Sequence, residues 1–393
     1  MADDVIDEKK LRHWNLMEEF QKALQAVDWP DHKRSPAERE RVVQQAEYLR
    51  LYLFGLFNPV VRTMRAVTAA SRLDRVQREI SQRRISKSTF TEMQYLVDPQ
   101  RLEKVFENLA ERELGKSPAM DPRLSKRTWL AQDGSLFRAL PRMAWALYGV
   151  GPDGQAKGVR LHLTFNLTES KPQRAEVTVG AGCERQVLRA RLKKGEAYVG
   201  DRHFSGDYSI FAQFHAKECS YVFRLKENAA VTLIEELEVT PEDRAQGIVR
   251  QAWVRLGATP KTLSVPVRVL WLESPTKGSM MLVTNLSVPE ASAQLVEQIY
   301  RWRWQIELFF RWVKYILGMR GHWFAESPRG VQIQIYLTLI AAILMRQHFG
   351  MRPTKRMMEI LQFYLLGMAT SQELTRELAG ELAALAARKR KKS

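Results

Sequence analysis

Three carboxylates and the groups around them stand out in this chain by type and spacing. In the stretch 295–317, LVEQIYRWRWQIELFFRWVKYIL, Tyr300, Arg303, Glu307 and Lys314 follow one another at intervals of three, four and seven. Wound as a helix at about 100° per residue, this stretch gathers Leu295, Ile299, Trp302, Ile306, Phe309, Phe310, Val313 and Leu317 into one apolar stripe. The four polar residues fall together on the adjoining flank, so a carboxylate is set beside a phenol and two cations at the rim of a buried surface. The plain alternative is an amphipathic helix whose Glu307 pairs with Arg303 or Arg311 at helical spacing. Asp133 ends one strand-like run, TWLAQDGSLF, and Asp201 ends another, AYVGDRHF. Alone, Asp133-Gly134 is hairpin-turn chemistry and Asp201 an N-cap for a helix after Ser205. Three carboxylates brought together repel unless cations neutralise them, so such a cluster predicts divalent metal.

The elements that must position these groups are partly legible. Ser287-Val288-Pro289-Glu290 has the form of a capping box with proline in the first turn, and Gly318 is a stop signal. The spacing therefore predicts one helix over 288–317, about 45 Å long. From about 126 the chain turns to short strand-like runs (TWLAQ, VRLHLTFNLT, AEVTVG, AYVG and YVFRLK) with one helical run at 184–192. Three strands, a helix, a strand, a helix and a strand is the order of a ribonuclease-H-like domain, an α/β fold with a mixed five-stranded sheet. That order sets the strand ends bearing Asp133 and Asp201 side by side, with the long helix across them. A β-rich insertion is expected at about 227–265, after which VRVLWLES and MMLVTNL return to strands. Residues 1–125 read as an all-α, DNA-binding segment. It carries a helix start at Ser35-Pro36-Ala37-Glu38 and helical apolar spacing over 39–64. Arg62, Arg65, Arg72, Arg75, Arg78, Arg83, Arg84 and Lys87 crowd its later part, a density suited to phosphate contacts. The catalytic segment is then 126–325, and 326–393 is a helical C-terminal region ending in the basic run 388–392.

Composition narrows the partner. Lys and Arg number 61 against 44 Asp and Glu, a net charge of +17, which favours a polyanion such as nucleic acid. With two cysteines, Cys183 and Cys219, there is no disulfide framework, and a reducing cytoplasm fits. The opening MADDVIDEKK lacks signal-peptide regions. The longest apolar run, 335–345, falls short of the ~20 residues a membrane span needs and reads as a buried helix. No membrane partner is expected. Gly149-x-Gly151-x-x-Gly154 matches a dinucleotide pattern, but a strand follows where a helix is required; Gly115-Lys116-Ser117 lacks the upstream glycine of a phosphate loop. No nucleotide cofactor is expected.

The pattern Tyr300-x-x-Arg303-x-x-x-Glu307 with Lys314 resembles the signature of the DDE transposases of insertion sequence family four, in the ribonuclease-H-like superfamily. Asp133 in QDGS resembles that family's first-aspartate motif and Asp201 in GDRHFS its second, though His203-Phe204 replaces the usual pair. Lys157-Gly158-Val159-Arg160-Leu161-His162 and Thr284-Asn285-Leu286 resemble its strand motifs, and RRISKSTFTEM its linker before the catalytic core. The likeness covers roughly 128–325, with a weaker trace at 80–115. The resemblance implies that Asp133, Asp201 and Glu307 are the catalytic residues and hold two Mg²⁺ or Mn²⁺ ions. It implies DNA contacts for Tyr300, Arg303, Lys314 and Arg202, and base stacking for Trp253 or Trp271, whose alternative is packing within a strand. The implied partner is double-stranded DNA, first the transposon end inverted repeats and then the target, bound by a homodimer. The implied activity is strand cleavage and strand transfer. A non-cleaving DNA-binding protein, or a metal-dependent nuclease on the same scaffold, would share these features.

Overall fold

The strand-like runs pair into a ten-stranded sheet, twice the expected number. Its members are β1 (Thr128–Arg138), β2 (Leu147–Gly151), β3 (Gly154–Asn166), β4 (Lys171–Val179), β5 (Glu196–Gly200), β6 (Ser220–Arg224), β7 (Val231–Leu237), β8 (Ile248–Leu256), β9 (Val267–Ser274) and β10 (Gly278–Thr284). The order is β2-β3-β1-β5-β6-β10-β9-β8-β7, with β4 also pairing β3. The computed structural model describes residues 15–26, 36–112, 127–151, 154–257, 263–274, 278–318 and 323–390. Its contacts divide the chain into two units, one of 1–114, 137–159 and 311–393, the other of 115–136 and 160–310.

In the second unit β1 and β5 run parallel, as do β5 and β6. The middle residues of β5 and β6 are buried on both faces (Ala197, Tyr198, Val199; Tyr221, Val222, Phe223), which is why these strands read as unbroken apolar runs rather than alternating ones. The expected five strands are the stretch β4-β3-β1-β5-β6. The sheet does not stop there, because β10 pairs antiparallel with β6 and carries β9, β8 and β7 beyond it as an antiparallel meander. The β-rich chain expected at 227–265 is thus continuous in one sheet with the two strands that follow it. Strand β2 escaped the sequence reading because LYGVG is short and broken by glycine; it pairs antiparallel with β3, and the dinucleotide-like glycines Gly149, Gly151 and Gly154 lie within that ladder. α7 (Glu184–Arg191) and α8 (Ser209–Ala216) supply Leu188, Ile210, Phe211 and Phe214 to a core with Tyr198, Tyr221, Phe223, Val254, Val269 and Val283.

The helical reading of the N-terminal segment holds for its described part: α1 (Asn15–Gln25), α2 (Pro36–Phe57), α3 (Met64–Ala70), α4 (Asp74–Glu79), α5 (Lys87–Leu96) and α6 (Pro99–Glu111). The helix expected to reach 64 stops at Phe57. Pro59 has no N–H to give, and Asn58 Oδ1 accepts from the N–H groups of Val60 and Val61 at 3.0 and 3.2 Å. Ser86 caps α5, accepting from Thr89 N–H at 3.1 Å, and Asp98 caps α6. After α9 (Pro241–Ala245), α10 (Ala293–Trp302) and α11 (Trp304–Tyr315) come α12 (Pro328–Phe349), α13 (Lys355–Leu365) and α14 (Ser371–Arg390). Among the described residues α12 alone is long and apolar enough to cross a membrane. It is instead buried against α6, α2, α1 and α5, as a helix apolar on all sides demands. Gly115-Lys116-Ser117 of the phosphate-loop decoy and residues 391–393 lie outside the described residues.

Candidate active site

The register of the parallel strands decides where the two aspartates stand. Thr128 pairs with Glu196 and Ala131 with Val199, an offset of 68 residues. Carried two residues past the Ala131–Val199 pair, the same offset points Asp133 toward Asp201, the first residue after β5, and the Asp201 charge acts on Asp133. Asp133 does not end its strand as expected. β1 runs on to Arg138, so Asp133-Gly134 is extended chain and not a hairpin turn. Asp201 follows the last residue of β5, and its Oδ1 accepts from His203 N–H at 2.9 Å. That turn leads into a single 3₁₀ turn at 204–206. The helix beyond it is served by Asp207, whose Oδ1 accepts from Ser209 N–H at 3.1 Å.

Each aspartate has a glycine neighbour whose lack of a side chain has a cause. A Cβ on Gly200 would lie 2.2 Å from Phe223 Cε1, so the ring closes the core directly over the strand end. A Cβ on Gly134 would lie 2.4 Å from Glu184 Oε1. Burial first, then the charges of Asp201 and Glu184, raise the Asp133 carboxyl to about 7, against the pull of Gly134 N–H and the Arg303 cation. Asp133 Oδ1 accepts from Gly134 N–H at 2.8 Å. Among the described residues Oδ2 of either aspartate accepts no hydrogen bond, so two oxygen donors of the kind hard cations prefer remain open.

The helix expected to run unbroken over 288–317 does not. Ser287 and Glu290 form a separate turn, in which the backbone N–H and the hydroxyl of Ser287 both donate to Glu290 Oε2 at 3.0 and 2.8 Å. The helix starts six residues later, capped by Ser292, whose Oγ accepts from Leu295 N–H at 3.3 Å. It then breaks at Arg303, where Arg303 N–H donates to Tyr300 O and Ile306 N–H to Arg303 O, both at 3.1 Å. These three-residue steps tighten the turn between α10 and α11. The apolar stripe is buried as expected, apart from the half-buried Trp302.

Arg303 is the hub of this flank. Its Nη2 donates to Glu307 Oε1 at 2.6 Å, and its guanidinium lies 5.5 Å from the centre of the Tyr300 ring. The same cation acts on Asp133, and its buried Nε has no hydrogen-bond partner among the described residues. The structure therefore brings Asp133 and Asp201 close enough for their charges to interact, and pairs Arg303 with Glu307 while its cation acts on Asp133. Among the described residues no three His, Cys, Asp or Glu side chains stand close enough together to hold a metal ion. Lys314 is half-buried, its Nζ 5.1 Å from the centre of the Phe137 ring.

The remaining expected residues are dispersed. Arg202 is exposed beside Asp201 in an open cleft with His203, Lys226 and Asn228, 3.5 Å from Glu227. Trp253 and Trp271 are both half-buried. Trp271 packs on the core of the second unit with Arg250 4.5 Å above its ring. Trp253 pairs with Arg268 in the ladder and so faces the other side of the sheet. The strand motif Thr284-Asn285-Leu286 has a mechanical part. Asn285 accepts from Tyr221 N–H and donates to Cys219 O, so it pins the end of β10 to β6 just before the chain turns to α10. Sequence reasoning missed Glu184, a buried carboxylate ion-paired with Arg160. Its one signal was its place at the start of a predicted helix.

Residues 125–344 match the family model described as a transposase DDE domain. Two curated relatives are each 25% identical to this chain. One, from Sinorhizobium fredii, carries the provisional name transposase y4zB and aligns over 54% of this chain and 58% of its own length. The other, from Geobacillus stearothermophilus, is named the probable transposase for insertion sequence element IS5377 and aligns over 52% of each. The chain thus spans little more than half the length of the curated relatives it matches. A piggyBac transposase synaptic complex with hairpin DNA superposes on all of this chain and 80% of its own, with a TM-score of 0.42 and 11% identity, a level from which no fold is argued.

Proposed function

This chain belongs to the transposase DDE domain family, and from that premise we propose that it is a cut-and-paste DNA transposase of the insertion sequence family four type. It binds the inverted repeats at the ends of its element, cleaves there with divalent metal, and transfers the freed ends to target DNA. The observation that supports the reading is that the parallel β1–β5 register runs to within two residues of Asp133 and Asp201, whose charges act on each other, while the Arg303 cation pairs with Glu307 and acts on Asp133. The strand run β4-β3-β1-β5-β6 supports a ribonuclease-H-like core, with β7 and β8 in the β-rich insertion at about 227–265 and β9 and β10 following it. In this reading 1–125 is the DNA-end-binding domain, 126–325 the catalytic domain and 326–393 the C-terminal region. The protein acts as a homodimer on DNA in the cytoplasm.

Asp133, Asp201 and Glu307 are the residues that would hold two Mg²⁺ or Mn²⁺ ions. When bound, such a pair supplies the positive charge that eases an in-line displacement at phosphorus. The other roles belong to the chain's own groups. Arg303 offers a planar guanidinium fork whose Nε is unfilled, and two oxygens of a phosphate are the bidentate partner it suits. Tyr300 holds that fork from one side, while Lys314 and Arg202 add point charges for neighbouring phosphates. Trp253 or Trp271 would stack an extruded base. Trp253 is the freer of the two, since Trp271 already carries Arg250 on its face.

Cleavage of a plasmid bearing the gene's own flanking DNA tests this. Wild type should cut at the element ends with Mg²⁺, and Glu307→Gln and Asp133→Asn should not cut while still binding the ends. Cutting by either variant, or loss of end binding together with cutting, would defeat the assignment of those residues.

A further inference from the structure

The catalytic reading leaves Glu184 and Arg160 without a task, although Glu184 lies against the glycine that follows the first aspartate and Arg160 is ion-paired with Glu184. Glu184 opens α7, where a carboxylate is favoured by the helix dipole. That accounts for its charge but not for its burial, because its side chain is only 8% exposed. Nor does it account for its position, because a Cβ built on Gly134 would lie 2.4 Å from Glu184 Oε1. On its other side Glu184 is ion-paired with Arg160 Nη1, and Arg160 Nε donates to Gly180 O at 3.0 Å. One guanidinium from β3 thus ties down both the loop that enters α7 and the first side chain of α7. A buried ion pair is a weak way to stabilise a fold, but a fixed one holds its neighbours in register.

We propose that Arg160 and Glu184 are positioning residues that clamp the Asp133–Gly134 segment of β1, so that the Asp133 carboxylate is presented to divalent cations at a fixed place. The inference rests on the metal-binding reading of Asp133. It gives Gly134 a specific reason to be glycine, since any side chain there would displace Glu184 or the strand. It also adds a second negative charge behind Asp133 without adding a ligand.

The test is Mn²⁺ binding by the full-length protein, read as free Mn²⁺ by electron paramagnetic resonance, with the thermal midpoint recorded alongside. Outer-shell partners of metal ligands typically contribute 10–100-fold in affinity. Glu184→Gln and Gly134→Ala should each weaken Mn²⁺ binding about tenfold, measured at a temperature where the thermal midpoint shows each variant to be folded. The steric claim has its own signature: in a Glu184→Ala background, Gly134→Ala should cost no further affinity, because the methyl then has room. Mn²⁺ affinity within twofold of wild type in Glu184→Gln, or an undiminished effect of Gly134→Ala in the Glu184→Ala background, would overturn the clamp. If Glu184→Gln fails to fold, the comparison of Gly134→Ala in the two backgrounds decides. Equal Mn²⁺ binding by wild type and Asp133→Asn would instead remove the metal-binding reading itself, and this inference with it.

Discussion

Single side chains here are fixed by what lies a few ångströms away. Gly200→Ala would drive a methyl group into the ring of Phe223, 2.2 Å away in the unrelaxed geometry. Overpacking of this kind costs about 2 kcal/mol, which a urea midpoint would register. His162 is buried beside Thr178 Oγ1 at 2.9 Å, and its pKa is pushed down to about 4 by burial first and then by the cations of Arg160 and Arg191. A histidine whose folded pKa lies below its unfolded value contributes stability that is present above pH ~6.5 and lost as the pH falls toward 4. Between pH 7 and pH 5 the wild type should therefore lose roughly 2 kcal/mol more than His162→Gln, measured by urea unfolding at both values. A parallel loss in the two proteins would show that His162 is not the group being titrated. The glycines and His162 are readable in the sequence only as letters, because the partners that give them meaning come from other strands and helices.

At the scale of elements, the turn that leads into α10 is held by a buried cation. Arg268 on β9 is fully buried and reaches Gln251 Oε1 at 2.6 Å and Ala291 O at 2.6 Å, so the β7–β10 meander holds the turn before α10. Burial lowers its pKa to about 10, yet it stays charged at neutral pH. Arg268→Met should destabilise by about 2 kcal/mol, since it strands two buried acceptors. It should lower cleavage more than the stability loss explains, because the Glu307 helix loses its anchor. Unchanged single-turnover cleavage at a temperature where the variant is folded would refute that link. The two sequence signals at 287–292 competed here. Ser287-x-x-Glu290 has capping-box form, but its serine hydroxyl donates to Glu290 instead of accepting the N–H at 290, and Ser292 begins the helix.

For the whole molecule, the excess of 17 positive charges has an address in the described residues. Arg62, Arg65, Arg72, Arg75, Arg78, Arg83, Arg84 and Lys87 are all exposed on or beside α3, α4 and α5. End binding should fall steeply with salt, and each charge reversal at Arg72 or Arg78 that removes a phosphate contact should flatten the log–log slope by about 0.9. A slope indifferent to both would move the DNA surface elsewhere. What the sequence determined by itself was chemistry and local form. The carboxylates, their cations, the apolar stripe of 295–317, the buried α12 and the strand order all follow from residue type, period and motif spacing. What only the tertiary structure decided was pairing. The parallel β1–β5 register brings Asp133 within the influence of the Asp201 charge, β10 joins β6 and doubles the sheet, and one expected helix breaks in two at Arg303. Glu184 comes to rest on Gly134 in the same way. Strand register and buried ion pairs join residues tens of positions apart, and no local pattern encodes them; they are fixed only when the core closes and each buried polar group must find a partner.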